Sequence, residues 1–241
     1  DGTDYSVSYG NNIEAGTATV VVAGKGNYSG ELEYSFRIDP RQVGAPEAAT
    51  GLVYSGAEQV GVAPSGEYEV SGGSATSAGD YTAAVSLKDK RNYVWAGEGG
   101  SDDLSIAWAI AKAAPSYSAP AVVNATFGQT LGGLELPGGF SWQDDPSTSV
   151  GDAGEHEFMA TFTPSDAANY NVVRNIPVAV SVSPAAVTKG MFEVDTAAEV
   201  YTGSPIAKKV GSSLVDGTDY SVSYGNNIEA GTATVVVAGK G

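Results

Sequence analysis

The chain has 241 residues, with 28 acidic and 12 basic side chains for a formal charge of −16, no cysteine and one histidine. That charge works against nucleic acid and anionic membrane surfaces, which repel a negative protein. The lack of cysteine excludes a disulfide scaffold and thiolate metal sites, and the sequence holds no run of the roughly 18 apolar residues a spanning helix needs.

Val, Thr, Tyr and Ser dominate the semi-apolar runs, and 32 glycines punctuate them. This is the composition of an all-β chain. In residues 1–40, Ala15-Gly16 leads into a strand-like TATVVV, Gly24-Lys25-Gly26 reads as a hairpin turn, and Asn27-Tyr28 follows. With no helix after it, that glycine turn is not a phosphate cradle. Leu32, Tyr34, Phe36 and Ile38 then alternate with Glu31, Glu33, Ser35 and Arg37. Such alternation predicts a strand with one buried face.

Residues 41–112 repeat the order. Val53-Tyr54-Ser55-Gly56 opens, Ala78-Gly79 leads into DYTAAV, Asn92-Tyr93 follows, and Leu104, Ile106, Trp108 and Ile110 alternate with Ser105, Ala107 and Ala109. Residues 113–184 do so again, with Thr126-Phe127-Gly128-Gln129, Ala153-Gly154-EHEFMATF, Asn169-Tyr170, and Ile176, Val178, Val180 and Val182 in alternation. Pro177 interrupts the last run and lacks an N–H, so the strand is expected to be an edge there or to carry a bulge. Residues 185–241 open with Val200-Tyr201-Thr202-Gly203, and from Asp216 to Gly241 they reproduce Asp1 to Gly26 without a change.

The identity sets a repeat of 215 residues, and the related openings at Tyr54, Phe127 and Tyr201 stand 73 and 74 residues apart. Three modules of about 70 residues therefore make one super-repeat. The expected divisions are 1–40, the C-terminal part of a module; 41–112 and 113–184, two whole modules; and 185–241, the N-terminal part of the same module type as 1–40. Within each, the Ala-Gly is read as the turn into the penultimate strand, where glycine tolerates positive φ. The tyrosine of the Asn-Tyr is read as a cap on the core that hydrogen-bonds through its hydroxyl. Pro40, Pro115 and Pro184 stand at the junctions and limit flexing there. The fold class is all-β: serial small immunoglobulin-like β-sandwich modules of about 70 residues, forming an elongated rod.

The stretch VYTGSPIAKKV with LVDGTDYSVSYGNNIEAGTATVVVAGKG, closed by NYSGELEYSFRI, resembles the short immunoglobulin-like repeats of bacterial cell-surface proteins. Residues 113–184, with ATFGQTL, GGFSW and FTPSDAANYNVV, resemble the MBG-type module of the same adhesin-like proteins, and residues 41–112, with GLVYSGAEQVGV and AGDYTAAV, are similar to a third variant. The resemblance covers essentially the whole chain. It implies stalks, spacers or adhesive repeats of secreted or wall-anchored proteins, and no catalytic residues come with it.

The residues with chemical potential read mostly as structural. His156 falls on the strand face of Phe158 and Phe162, without the second histidine or cysteine a zinc site needs. The acidic pairs Asp102-Asp103 and Asp144-Asp145 lack the alternating pattern of a calcium loop and read as solvated turn carboxylates. Trp95 and Trp142 lie near loops, where exposed rings would offer a sugar-stacking platform. They read more simply as caps on sandwich ends, while Trp108 sits on a core face. Lys25 (repeated as Lys240), Lys208 and Lys209, with Asn11, Asn12 or Asn226, offer the side chains of an intramolecular isopeptide bond, against a plain reading as solvated lysines and turn asparagines. Hydrolase and P-loop motifs are missing.

The expectation is a non-enzymatic stalk or spacer repeat of a bacterial surface or secreted adhesin-like protein, extracellular, without cofactor, metal, nucleic acid or membrane insertion. The alternative is a repeated glycan- or protein-binding adhesive module, gaining avidity by repetition. The expected partners are neighbouring repeats of the same chain. Because residues 1–40 and 185–241 hold complementary parts of one module type, strand complementation between copies is also expected.

Overall fold

The computed structural model describes residues 2–97 and 100–240. It is all-β, with two three-residue 3-10 turns as the helical elements among the described residues. The chain divides into two compact units, one of Asp1–Pro115 with Asp166–Asn171, the other of Ser116–Ser165 with Val172–Gly241.

In the first unit, β1 (Tyr5–Gly10), β2 (Gly16–Gly24) and β3 (Glu31–Ile38) form an antiparallel meander in that order. Val7, Val22 and Leu32 align across the sheet, and so do Tyr9, Val20 and Tyr34. The period-2 pattern thus gathers one apolar face, as expected. The face is not buried, however: Leu32 is 61% and Tyr34 59% exposed. Residues 2–40 form one layer, and alternation sorts side chains to a face without supplying its cover.

The rest of this unit is a two-layer sandwich. It comprises β4 (Arg41–Val43), β5 (Gln59–Val60), β6 (Tyr68–Ser71), β7 (Ser74–Ala75), β8 (Gly79–Leu87), β9 (Tyr93–Trp95) and β10 (Leu104–Ile110). A sheet in the order β10-β8-β6 faces the short pairs β4-β9 and β5-β7. Ala83, Val85 and Leu87 of β8 and Trp108 and Ile110 of β10 meet Val43 and Trp95 in one core. Here the alternation does mark burial: Trp108 and Ile110 are 5% and 2% exposed, while Ala107 and Ala109 face water.

In the second unit, β11 (Val123–Thr126), β12 (Phe140–Trp142), β13 (Gly154–Phe162) and β14 (Val173–Ser183) form a mixed sheet in the order β11-β14-β13-β12. Its inner face carries Val180 and Val182 against Leu131, Leu134 and Val150 from the connecting segments. Pro177 pairs with Met159 of β13, while β11 reaches β14 only from Val180 onward. The imino acid thus sits where β14 has a neighbour on one side, as its missing donor requires. A register shift lies nearby between Ala160 and Phe162.

The second unit also holds β15 (Phe192–Val194), β16 (Val210–Ser212), β17 (Tyr220–Gly225) and β18 (Thr234–Gly239), paired as β15-β16 and β17-β18. The recurring Ala-Gly turns behave as read: Gly16, Gly79, Gly154 and Gly231 take φ of +141°, +157°, +138° and +147°. A side chain rarely adopts that backbone, so glycine is needed at each.

Candidate functional site

Two features stand out, a joint built on asparagine that occurs twice and a duplicated hairpin that stands in two different settings. The joint uses the asparagine of Asn-Tyr. The Asn92 side-chain oxygen accepts the backbone N–H of Ala15 at 2.7 Å, and the Asn169 side-chain oxygen accepts that of Ala78 at 2.8 Å. In each case the donor is the alanine of an Ala-Gly turn about 80–90 residues earlier in the chain. The Asn92 side-chain N–H also donates to Glu14.

An aspartate three residues upstream holds each asparagine in place. Asp89 accepts the backbone N–H of Arg91 and of Asn92, both at 3.1 Å, and the Asn92 side-chain N–H at 2.7 Å. Asp166 accepts the Asn169 backbone and side-chain N–H at 3.2 and 2.9 Å. These bonds, the one from the Asn92 side chain foremost, hold the Asp89 carboxyl below the usual aspartate range. The asparagine backbone works as well. The Asn92 carbonyl accepts from Arg41 N–H at 2.8 Å, and the Asn169 carbonyl accepts from Ala113 N–H at 2.9 Å. One residue therefore fixes the entry strand by its main chain and an Ala-Gly turn by its side chain.

The tyrosines pack alongside. Tyr93 lies under the Arg41 guanidinium at 5.2 Å, and Tyr170 meets Tyr54 edge-on at 5.3 Å. The joint's hydrogen bonds among the described residues belong to the asparagine. Tyr28, in the first Asn-Tyr, is 65% exposed. The aspartate was readable as Asp-x-x-Asn-Tyr at 89–93 and 166–170, with Gly24 in its place before Asn27-Tyr28.

The second feature appears because one sequence stands in two settings. Tyr5 is 41% exposed and its copy Tyr220 is 4% exposed, closed over by Phe192 at 4.9 Å between ring centres. Tyr9 is 61% exposed, whereas its copy Tyr224 donates its hydroxyl to the Lys208 carbonyl at 2.6 Å. Ile206 and Asn227 exchange two hydrogen bonds, of 2.8 and 3.0 Å. Residues 187–212 thus supply the layer that covers the repeated hairpin. In the first copy β2 is flanked by β1 and β3; in the second, among the described residues, β18 pairs with β17 alone. A groove of about 1030 Å³ runs along that side, with Phe192, Val194, Ile206, Val235 and Val237 in its wall.

The residues singled out for chemistry fall elsewhere. His156 shares a face with Phe158 and its Nε2 lies 2.7 Å from the Asp152 carbonyl oxygen at a strand end. Asp103 pairs with Lys90 at 2.8 Å, which with Ser86 holds its carboxyl below the usual range. Asp145 is lowered by the Ser147 hydroxyl and N–H and closes its own turn. No cluster of three potential metal ligands occurs among the described residues.

Trp95 and Trp142 take the simpler of the two readings, as rings packed on a core and not as an exposed platform. Trp95 is 4% exposed and donates Nε1–H to the Asp102 carbonyl at 2.7 Å. Trp142 donates to the Leu134 carbonyl at 3.1 Å and packs on the core around Val180. Lys208 contacts Glu199 at 2.6 Å and Asp195 at 3.6 Å, and Glu199 above all raises its pKa. Asn11 and Asn226, at φ of +51° and +52°, turn the chain after β1 and β17. The Lys240 ammonium donates to the Gly217 carbonyl at 2.6 Å.

No protein-family model matches the chain, and no curated protein matches it. Among solved structures, a mutated variant of a three-immunoglobulin-domain segment of titin is similar at 14% identity, over 77% of this chain and 83% of that one, with a TM-score of 0.27. A second is SGBP-B of the Bacteroides ovatus mixed-linkage glucan utilization locus, in complex with a mixed-linkage heptasaccharide. It shares 12% identity over 83% of this chain and 64% of that one, with a TM-score of 0.19. The class defined by strand pairing, buried faces and joints is a tandem all-β modular chain.

Proposed function

We propose that the chain is a run of immunoglobulin-like, MBG-type modules from a bacterial cell-surface or secreted adhesin-like protein, acting as an extracellular stalk or spacer and not as an enzyme. The observation that carries this is the joint: Asn92 to Ala15 and Asn169 to Ala78 repeat one hydrogen bond at successive module boundaries. A binding domain has no need to repeat the same boundary contact. A chain that must transmit length does, because each ordered joint removes a hinge.

Three modules at strand-rise dimensions give a super-repeat on the order of 100 Å long. Small-angle scattering from a chain of two 215-residue repeats tests the reading. An extended particle whose maximum dimension grows in proportion to repeat number is expected. A compact globule overturns it.

A further inference from the structure

We infer that the outer face of the β12–β13–β14 sheet carries a binding site for a carboxylate-bearing sugar, with Arg174 as its anchor. Ser141, Trp142, Gln143, Thr161, Arg174 and Asn175 line a pocket of about 520 Å³ there. That volume lies within the usual span of small-molecule sites. The Trp142 ring packs on the core, so recognition rests with the polar side chains.

A bulge builds the pocket. Ala160 pairs with Ile176, and Phe162 pairs with Val173. Thr161 therefore stands opposite two residues, Arg174 and Asn175. Plain alternation turns one of two successive side chains inward. Here both are exposed, between half-buried Val173 and buried Ile176. Asn175 takes φ of +58° inside the strand to allow this. The other non-glycine residues with positive φ among the described residues, Asn11 and Asn226, turn the chain after strands. Bulges re-aim side chains, and strained backbone of this kind collects at ligand sites.

The floor is fixed by hydrogen bonds. Thr161, at 8% exposed, is the buried polar side chain among the described residues. Its hydroxyl accepts the Gln143 side-chain N–H at 3.0 Å, and the same amide nitrogen donates to the Ala160 carbonyl at 3.3 Å. Both amide hydrogens of Gln143 are thereby engaged, and its side-chain oxygen is the group it offers a ligand. Ser141 pairs directly with Thr161 across β12 and β13.

Arg174 supplies the charge. It is the single lysine or arginine in residues 113–184, against seven aspartates and glutamates. Among the described residues no carboxylate lies within ion-pair distance of it. An unpaired guanidinium presents a planar fork that matches a carboxylate by two parallel hydrogen bonds. The acidic surroundings favour a ligand with one negative charge over a dianion, since repulsion grows with charge. The Ser141 hydroxyl and the Asn175 amide each donate and accept. Those are the partners of ring hydroxyls, and they are side chains, not the row of main-chain groups that an added peptide strand uses. One carboxylate on a polyhydroxyl frame fits this set, and a hexuronate is the simplest such ligand. The inference goes beyond the stalk reading and does not rest on it.

The test is an amide NMR titration of the isotope-labelled full chain at constant ionic strength. Methyl β-glucuronide is the probe. Methyl β-glucoside, the same ring without the carboxylate, and acetate, the carboxylate without the ring, are the controls. Saturable shifts at Ser141, Gln143, Thr161 and Asn175 are expected with the glucuronide and not with either control. Arg174→Gln, at an exposed site, is expected to raise the Kd roughly tenfold or more, the scale of a lost charge-assisted pair. Asn175→Gly keeps the positive φ and removes the amide. It is expected to weaken binding while resonances away from the pocket stay in place, which shows that the fold is retained. No saturable shift up to about 20 mM glucuronide, equal binding of either control, or an Arg174→Gln chain that binds like the parent overturns the inference.

Discussion

Asn169 accepts the backbone N–H of Ala78 through its side-chain oxygen at 2.8 Å, a hydrogen bond between residues 91 positions apart. Its counterpart joins Asn92 to Ala15 across 77 positions. Replacing either asparagine by alanine leaves a half-buried backbone N–H without its acceptor. The cost is expected to be about 1–2 kcal/mol, between a net hydrogen bond and an unsatisfied donor. Amide exchange reads it residue by residue: Asn169→Ala speeds exchange at Ala78 but leaves Ala15 unchanged, and Asn92→Ala does the reverse. Uniform loss of protection in both variants would mean that the asparagines support the whole fold and not single joints.

The first joint is also expected to respond to acid. The carboxyl of Asp89 is held below its usual range chiefly by the side-chain N–H of Asn92, then by its backbone N–H. A depressed folded-state value means that the stabilisation is complete above the unfolded aspartate range, about pH 4. It is lost as pH falls through the lower, folded value. Protection of the Ala15 amide should therefore be flat from neutral pH to about pH 5 and decline below that. In Asp89→Asn, which keeps an acceptor without the titrating charge, the decline should disappear. An unchanged acid profile in Asp89→Asn would remove Asp89 as its source.

How much of this was legible depends on whether the physics is local. Turn and alternation are local, and the sequence carried both: the four Ala-Gly turns take positive φ, and Val178, Val180 and Val182 line the core while Ala179 faces out. Cover is not local. The apolar alternation of ELEYSFRI matches that of LSIAWAI, yet Phe36 is 43% and Trp108 5% exposed, because the second layer comes from distant residues. The same limit hid the joint. The Asp-x-x-Asn spacing was visible, but that the asparagine reaches back some 80–90 residues to an alanine N–H is a matter of tertiary placement. For Trp95 the sequence left a packed cap and an exposed platform both open, since a loop-adjacent position does not reveal which way a ring turns.

Trp95 gives a prediction that separates a core role from a ligand role. Its ring is packed with Val43 and Tyr68, at 5.7 Å from the Tyr68 ring centre. Trp95→Ala is expected to destabilise the module of residues 41–112 by about 3–5 kcal/mol, in the range for truncating a buried aromatic. Urea unfolding followed by tyrosine fluorescence measures it. A stable Trp95→Ala chain that had instead lost binding to a glycan would reverse the assignment.

Gly61 is expected to be intolerant of the smallest side chain. A Cβ built there falls 1.9 Å from Cε3 and 2.0 Å from Cδ2 of Trp108. The indole cannot give way easily, since it stacks on Tyr81 at 4.7 Å and donates Nε1–H to the Gly72 carbonyl at 3.0 Å. Gly61→Ala should cost at least about 1–3 kcal/mol, the usual range for overpacking, and should shift the emission of Trp108. A variant as stable as the parent would show that the indole has room the structure does not display.

The sharpest comparison sets one sequence against itself. Tyr5 and Tyr220 occupy the same place in the identical segment, yet one is 41% and the other 4% exposed. Tyr220→Ala removes a ring packed edge-on to Phe192 at 4.9 Å and should cost about 3–4 kcal/mol, near the values for buried aromatics. Tyr5→Ala, in dilute monomer, should cost less than about 1 kcal/mol, as surface substitutions do. Local propensity and neighbours in sequence are the same at both sites, so any difference measures the layer that residues 187–212 supply. Thermal or urea unfolding of the two single variants at low protein concentration decides it. Equal losses would mean that the repeated hairpin is stabilised from within, and that the covering layer contributes little.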